Sequence, residues 1–162
     1  MTYNIHPIIV HFPIALLCIY SLLKIIPLYT WFPQTSWKQI ERIFLVLGVL
    51  GACAALYTGE AAEHLLRPNH DLVEMHSMFA AISVWIYGAL LLGEIIVWIG
   101  SKRALPKIVG GLGKVLTHRA LSTVLALCAL VAISVTGLLG GVMVYGATAD
   151  PFAAGILKML GL

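Results

Sequence analysis

Residues 120–146 read ALSTVLALCALVAISVTGLLGGVMVYG and contain no charged side chain. The hydrocarbon core of a bilayer is about 30 Å thick, and an α-helix needs about 20 apolar residues to cross it. Three other apolar stretches of comparable length occupy residues 5–23, 40–59 and 77–99. The sequence therefore predicts an all-α integral membrane protein in which four transmembrane spans form one helical bundle. The whole chain, 1–162, is expected to be a single domain.

The composition excludes several other classes of protein. Hydrophobic residues make up 60% of the chain and charged residues 10%, against about 45–50% and about 25% in ordinary soluble domains. The basic residues are scattered at the span edges and form no basic face, which argues against nucleic acid as a partner. The cysteines lie in apolar runs without CxxC or CxxCH spacing, so covalent haem attachment is not expected.

The distribution of basic residues predicts the orientation of the chain. Eight of the 10 Lys and Arg residues fall between spans one and two or between spans three and four. The positive-inside rule then predicts both termini outside and these two connections in the cytoplasm. Residues 151–162 are expected to form an interfacial helix on the outer surface. The eight residues are Lys24, Lys38, Arg42, Lys102, Arg103, Lys107, Lys114 and Arg119.

Histidines gather at the outer end of the predicted bundle. His11 lies about one and a half turns into span one, and His76 about one turn into span three, so both are expected to face the interior. Two imidazoles on different helices at matching depth are what an axially ligated haem requires. His11 and His76 are the predicted axial ligands. His6, expected to face the outer interface, and His64 are candidates for a second haem or for contacts to haem propionates.

Small residues at the same depth are consistent with a pocket for a macrocycle. They include glycines that close span two and line the outer part of span four. The alternative is that small residues merely allow helices to approach closely in lipid. The glycines concerned are Gly59, Gly137, Gly140 and Gly141.

Two alternative functions remain open at this point. Carboxylates and imidazoles near the outer end of spans two and three could hold non-haem Zn, Cu or Fe. Alternatively, the chain could be a cofactor-free accessory subunit whose histidines sit at the interface. His118, at the opposite end, is too distant to join an outer site. The candidate ligands of the non-haem site are Glu60, Glu63, His64, His70 and His76.

The opening segment HPIIVHFPIAL, residues 6–16, resembles the HPxxVHFPIAL signature of a family of bacterial membrane proteins, the domain of unknown function 2231 family. Relatives are four-helix proteins found alone or joined to electron-transfer modules, either c-type haem or Rieske-type domains. The resemblance implies a redox setting and b-type haem. Segments that also resemble the family pattern are Thr58-Gly59 followed by Glu60, His76, and Gly137 with Gly140-Gly141 leading to Val144-Tyr145-Gly146.

The chain departs from that pattern in span four. Relatives carry a histidine near position 138 and a polar or acidic residue near 142, where this chain has Leu138 and Val142. A ligand from span four is therefore absent, which leaves spans one to three to supply the haem ligands.

Together the residues and the resemblance predict a membrane-embedded b-type cytochrome with one haem b, or two. It is expected in the bacterial inner membrane with its site facing the periplasm, as an electron-transfer protein or subunit more than a stand-alone enzyme. A c-type cytochrome or Rieske-type protein is the expected outer-side partner, with quinone binding and homo-oligomer formation left open.

Overall fold

The computed structural model describes residues 5–66, 69–148 and 150–162, with residues 64–66 described by their backbone alone. The described residues form seven helices and no strand. In chain order the helices are α1 His6–Ile25, α2 Leu28–Trp31, α3 Trp37–Leu66, α4 His70–Gly100, α5 Lys107–Leu116, α6 Arg119–Tyr145 and α7 Ala153–Leu160.

Four of these helices, α1, α3, α4 and α6, are long and apolar enough to cross a membrane. The prediction of an all-α protein with four spans is confirmed. Both α3 and α4 extend farther toward the histidine-bearing end than the predicted spans, because the polar residues after position 59 and before position 77 remain helical. The orientation of the termini stays a prediction.

Two shorter helices flank the fourth span. Sequence reasoning treated the segment before α6 as a simple connection, yet residues 107–116 form α5. Its Gly113 packs against Ile96 of α4, where an added Cβ would lie 2.5 Å from Ile96 Cγ2. This close approach, available only to glycine, explains why a glycine-rich segment is helical here. At the other end, α7 lies within the predicted tail helix, and its position at a membrane surface stays a prediction.

The arrangement of the four long helices is antiparallel. Helix α1 packs mainly on α3 and α4 mainly on α6, while α1 also contacts α6 and α3 contacts α4. Since α3 and α6 each contact both α1 and α4, the latter two helices occupy opposite corners of the bundle. Side chains from α1 and α4 therefore meet only across the central axis.

Local signals mark where the helices begin and end. Pro7 occupies the first turn of α1, where its missing N–H costs no hydrogen bond. The side-chain oxygen of Asn69 accepts a hydrogen bond from the backbone N–H of Asp71 at 2.9 Å and caps α4. Helix α6 stops at Gly146, whose φ of 83° is rarely adopted by other residues.

The centre of the bundle combines aliphatic and small residues with one polar cluster. Leu17, Leu45 and Tyr87 are fully buried. The Tyr87 hydroxyl lies 2.8 Å from Ser21 Oγ, which in turn donates to the backbone oxygen of Ala126 at 3.1 Å. These bonds link α1, α4 and α6 and satisfy hydroxyl groups that have no water to bind in lipid.

The outer surface of the spans is apolar along its length. Large side chains such as Leu50, Trp85 and Val131 point away from the bundle and are exposed. Soluble monomers rarely expose a contiguous apolar surface of this extent to water. A bilayer is the solvent that such a surface fits.

Candidate functional site

His76, in the first part of α4, is half-buried in the bundle. Its Nδ1 lies 3.0 Å from the backbone carbonyl oxygen of Thr136 on α6. A carbonyl can only accept a hydrogen bond, so Nδ1 carries the proton and donates it. In the neutral ring, Nε2 then carries the lone pair that can bind a metal.

His6, at the start of α1, is held in a similar way by α3. Its Nδ1 lies 3.0 Å from Thr58 Oγ1. The Thr58 hydroxyl is within donating distance of the backbone oxygens of Ala54 and Ala55, at 3.1 and 3.2 Å. While it donates its one proton to a carbonyl, the Thr58 hydroxyl can accept a hydrogen bond from His6 Nδ1–H. The expectation that His6 faces the interface is wrong, since the ring turns inward to Thr58.

Each of these two rings packs on a glycine. A Cβ added at Gly59 would lie 3.2 Å from His6 Cε1, and one added at Gly140 would lie 3.3 Å from His76 Cε1. Gly140 is one helical turn after Thr136, so the missing side chain lets the His76 ring reach the Thr136 carbonyl. The sequence predicts both glycines at a cofactor site, and each of them contacts one of the two rings.

The two histidines lie on helices at opposite corners of the bundle. His6 begins α1 and His76 lies in the first part of α4, so both are at the same end of the bundle. The carbonyl of Thr136 fixes the tautomer of His76, and Thr58 holds the His6 ring through Nδ1. The pair brings two imidazoles from helices at opposite corners to one end of the bundle. We call His6, Thr58, Gly59, His76 and Gly140 the histidine site.

The structure does not bring His11 into this site. Its side chain is exposed on the outside of α1, and its Nδ1 contacts the carbonyl oxygen of Pro7 in its own helix. The expectation that His11 faces the interior opposite His76 is therefore wrong. The physical reason is helical geometry: five residues turn the chain by about 140°, so only one of His6 and His11 can face the axis.

The remaining predicted residues lie apart from the histidine site. A Cβ at Gly137 would approach Ile14, and one at Gly141 would meet nothing within 4 Å. Glu60 and Glu63 are exposed, and His70 lies 3.8 Å from Glu74 on the surface of α4. The side chain of His64 lies outside the described residues.

Within the described part of the chain, no three His, Cys, Asp or Glu side chains come together to hold a metal ion. The cluster of Glu60, Glu63, His70 and His76 expected from the sequence does not assemble there. Exposed carboxylates at the end of α3 and an exposed His70 account for this, because His76 alone among these residues turns into the bundle.

Sequence reasoning did not assign a role to the two residues that orient the rings. Thr58 acts through its side chain and Thr136 through its backbone oxygen. Thr58 could have been found, because it precedes Gly59 in the segment that resembles the family pattern. A backbone acceptor such as that of Thr136 leaves no signal in a sequence.

The fold and this geometry define a class: a four-span helical membrane protein with two hydrogen-bonded histidines at one end of its bundle. The chain belongs to the family described as "Predicted membrane protein (DUF2231)", whose model matches residues 2–149. This confirms the resemblance drawn from the sequence. No curated protein and no solved structure shows a significant match to the chain.

Proposed function

We propose that the protein is a b-type cytochrome in which His6 and His76 are the two axial ligands of a haem. The observation that carries the proposal is the pair of imidazoles on opposite helices, each with Nδ1 at 3.0 Å from an oxygen of a neighbouring helix. Metal-bound histidines almost always donate their second ring nitrogen in this way, which orients the ring and raises its basicity.

The donor set suits haem better than a bare metal ion. In haem, the porphyrin supplies four nitrogen ligands to the iron, and the protein supplies one or two axial ligands. A structural zinc site takes four ligands, and a catalytic one takes three protein ligands. In the described part of the chain no third His, Cys, Asp or Glu joins the pair. Two imidazoles are enough to complete the coordination of a haem iron.

Gly59 and Gly140 supply the space that the rings need. With no side chain on either glycine, each imidazole lies against helix backbone through its Cε1 edge. The glycines thus act as positioning residues for the ligands.

A haem with two histidine ligands supplies one-electron transfer and has no open position for O₂. The protein's own residues would hold the ligands, with Thr58 and the Thr136 carbonyl orienting the two rings at one end of the bundle. If the positive-inside rule applies, that end faces outward. Electron exchange with an outer-side redox protein, either a c-type cytochrome or a Rieske-type protein, is the function we propose for this position.

The direct test is a reduced-minus-oxidised absorption spectrum of the purified protein in detergent, with a pyridine haemochrome assay to count haem per chain. We expect the sharp reduced bands of a six-coordinate b-type haem. One haem per chain would agree with a single His6 and His76 pair. A protein that stays colourless after haem is supplied during expression contradicts the proposal.

Replacing Gly140 with valine is expected to lower haem content strongly, because the new side chain would occupy the space beside His76 Cε1. The matched control is Gly141→Val, at the next position of α6, where an added Cβ meets nothing within 4 Å. Haem per chain, measured at equal yields of folded protein, compares the two. Equal haem in both variants would show that ring packing on Gly140 is not needed.

A further inference from the structure

A cavity of about 610 Å³ opens at the end of the bundle opposite the histidine site. It lies among the end of α1, the start of α3, the last part of α4 and the start of α6. We call this region the basic cavity. Its wall contains Lys24, Tyr29, Lys38, Glu41, Glu94 and Arg119.

The basic cavity carries an excess of positive charge. Lys24 Nζ lies 2.6 Å from Glu41 Oε2, and Arg42 reaches Glu94 Oε2 at 2.9 Å, so both carboxylates are compensated. Among the described residues, Lys38 and Arg119 form no ion pair. Two cations therefore remain for an anion, at the ends of the predicted spans.

Arg119 is positioned for such a role. Its guanidinium carbon lies 3.8 Å from the centre of the Tyr29 ring. Stacking on an aromatic face fixes the plane of the guanidinium while its N–H groups stay directed outward along the edge. A planar set of donors held in this manner matches the oxygens of a phosphate group.

An apolar groove adjoins the basic cavity. Glu94 lines both, and the groove, of about 140 Å³, is otherwise formed by Arg42 and by apolar side chains of α3 and α4. The apolar members are Val46, Leu91, Ile95 and Trp98. A cationic cavity next to an apolar groove fits an amphiphile better than a free ion.

We propose that the basic cavity binds the phosphate group of an anionic membrane lipid, with Lys38 and Arg119 as its main contacts and an acyl chain in the adjoining groove. Basic pockets between transmembrane helices are known to bind anionic headgroups. The proposal stands independently of haem, since the two sites lie at opposite ends of the bundle.

The test is native mass spectrometry of the delipidated full-length protein in a non-ionic detergent. It is titrated with dioleoyl phosphatidylglycerol, with zwitterionic dioleoyl phosphatidylcholine, or with inorganic phosphate. The variant is Lys38→Gln with Arg119→Gln. The charge-matched control is Lys102→Gln with Arg103→Gln, in the connection after α4 at the same end, since neither residue lines the cavity.

We expect the wild type to bind phosphatidylglycerol in preference to phosphatidylcholine, and the double variant to bind it about 30-fold more weakly. The control should keep the wild-type affinity. Lys38→Gln alone should show a smaller loss, and since Lys38 is exposed and makes no ion pair in the described structure, it tests the site without disturbing the Arg119 stack. Equal binding of both lipids, equal loss in variant and control, or displacement of the lipid by phosphate at similar concentrations would overturn the proposal.

Discussion

Haem content is expected to fall more than about tenfold when His6 or His76 is replaced by alanine, and to stay near the wild-type level in His11→Ala. His6 and His76 turn into the bundle and are oriented by oxygens of α3 and α6. His11 is exposed on the outside of α1. The measurement is haem per chain by pyridine haemochrome, together with the reduced absorption spectrum.

His11→Ala is a matched control because it removes the same side chain from the same helix, one and a half turns away. Its outcome also decides between the two pairings of ligands. Loss of haem in His11→Ala with retention in His6→Ala would favour the His11 and His76 pair predicted from the sequence. Retention in all three variants would mean that none of these three histidines is required to bind haem.

The largest effect on stability is expected from Gly48→Ala. An added Cβ would lie 2.5 Å from Cδ2 and 2.6 Å from Cγ of Leu17, where α1 and α3 approach closely. Leu17 is 0% exposed and belongs to the central cluster with Leu45 and Tyr87, so it has no space into which to move. Overpacking of this kind costs about 1–3 kcal/mol of the free energy of unfolding.

The free energy of unfolding can be measured by titration with a denaturing detergent while helicity is recorded. Gly88→Ala on α4 is the control, because a Cβ there meets nothing within 4 Å. Alanine favours a helix interior by up to about 1 kcal/mol over glycine, so this control should be neutral or slightly stabilising. If Gly48→Ala is as stable as Gly88→Ala, the conclusion that Leu17 packs tightly against Gly48 of α3 is contradicted.

These two predictions separate cofactor binding from packing. The histidine variants are expected to change haem content while the helices stay folded, because His6 and His76 lie at the end of the bundle rather than in the central cluster. Gly48→Ala acts on that cluster and should lower stability first. A variant that loses haem only after it unfolds reports on packing alone.

Most of the fold could be predicted from the sequence. An uncharged stretch such as 120–146 has to be helical in a bilayer, because backbone groups in lipid must bond to one another. Lengths near the thickness of the bilayer then predict four spans, and basic residues at two of the connections predict an orientation. The four spans also predict that most histidines lie at one end of the bundle. The start of span one, the end of span two and the start of span three all lie on the same side of the membrane.

Helix α5 could not be predicted from the sequence. Residues 107–116 contain Gly110, Gly111 and Gly113, and glycine disfavours helices by about 1 kcal/mol relative to alanine. The structure makes the segment helical because Gly113 lets α5 lie directly on Ile96 of α4. Tertiary contact therefore overrides local propensity at this point.

The sequence by itself determined the class of protein, the four spans and the end at which most histidines gather. Only the tertiary structure decided which histidine of α1 faces the axis, and that Thr58 and the Thr136 carbonyl orient the rings. The physical reason is that lipid and bundle interior are both apolar, so periodicity of hydrophobic residues does not distinguish the two faces of a transmembrane helix. Burial of His6 and exposure of His11 follow from how α1 packs on α3 and α6, which no local pattern in the chain encodes.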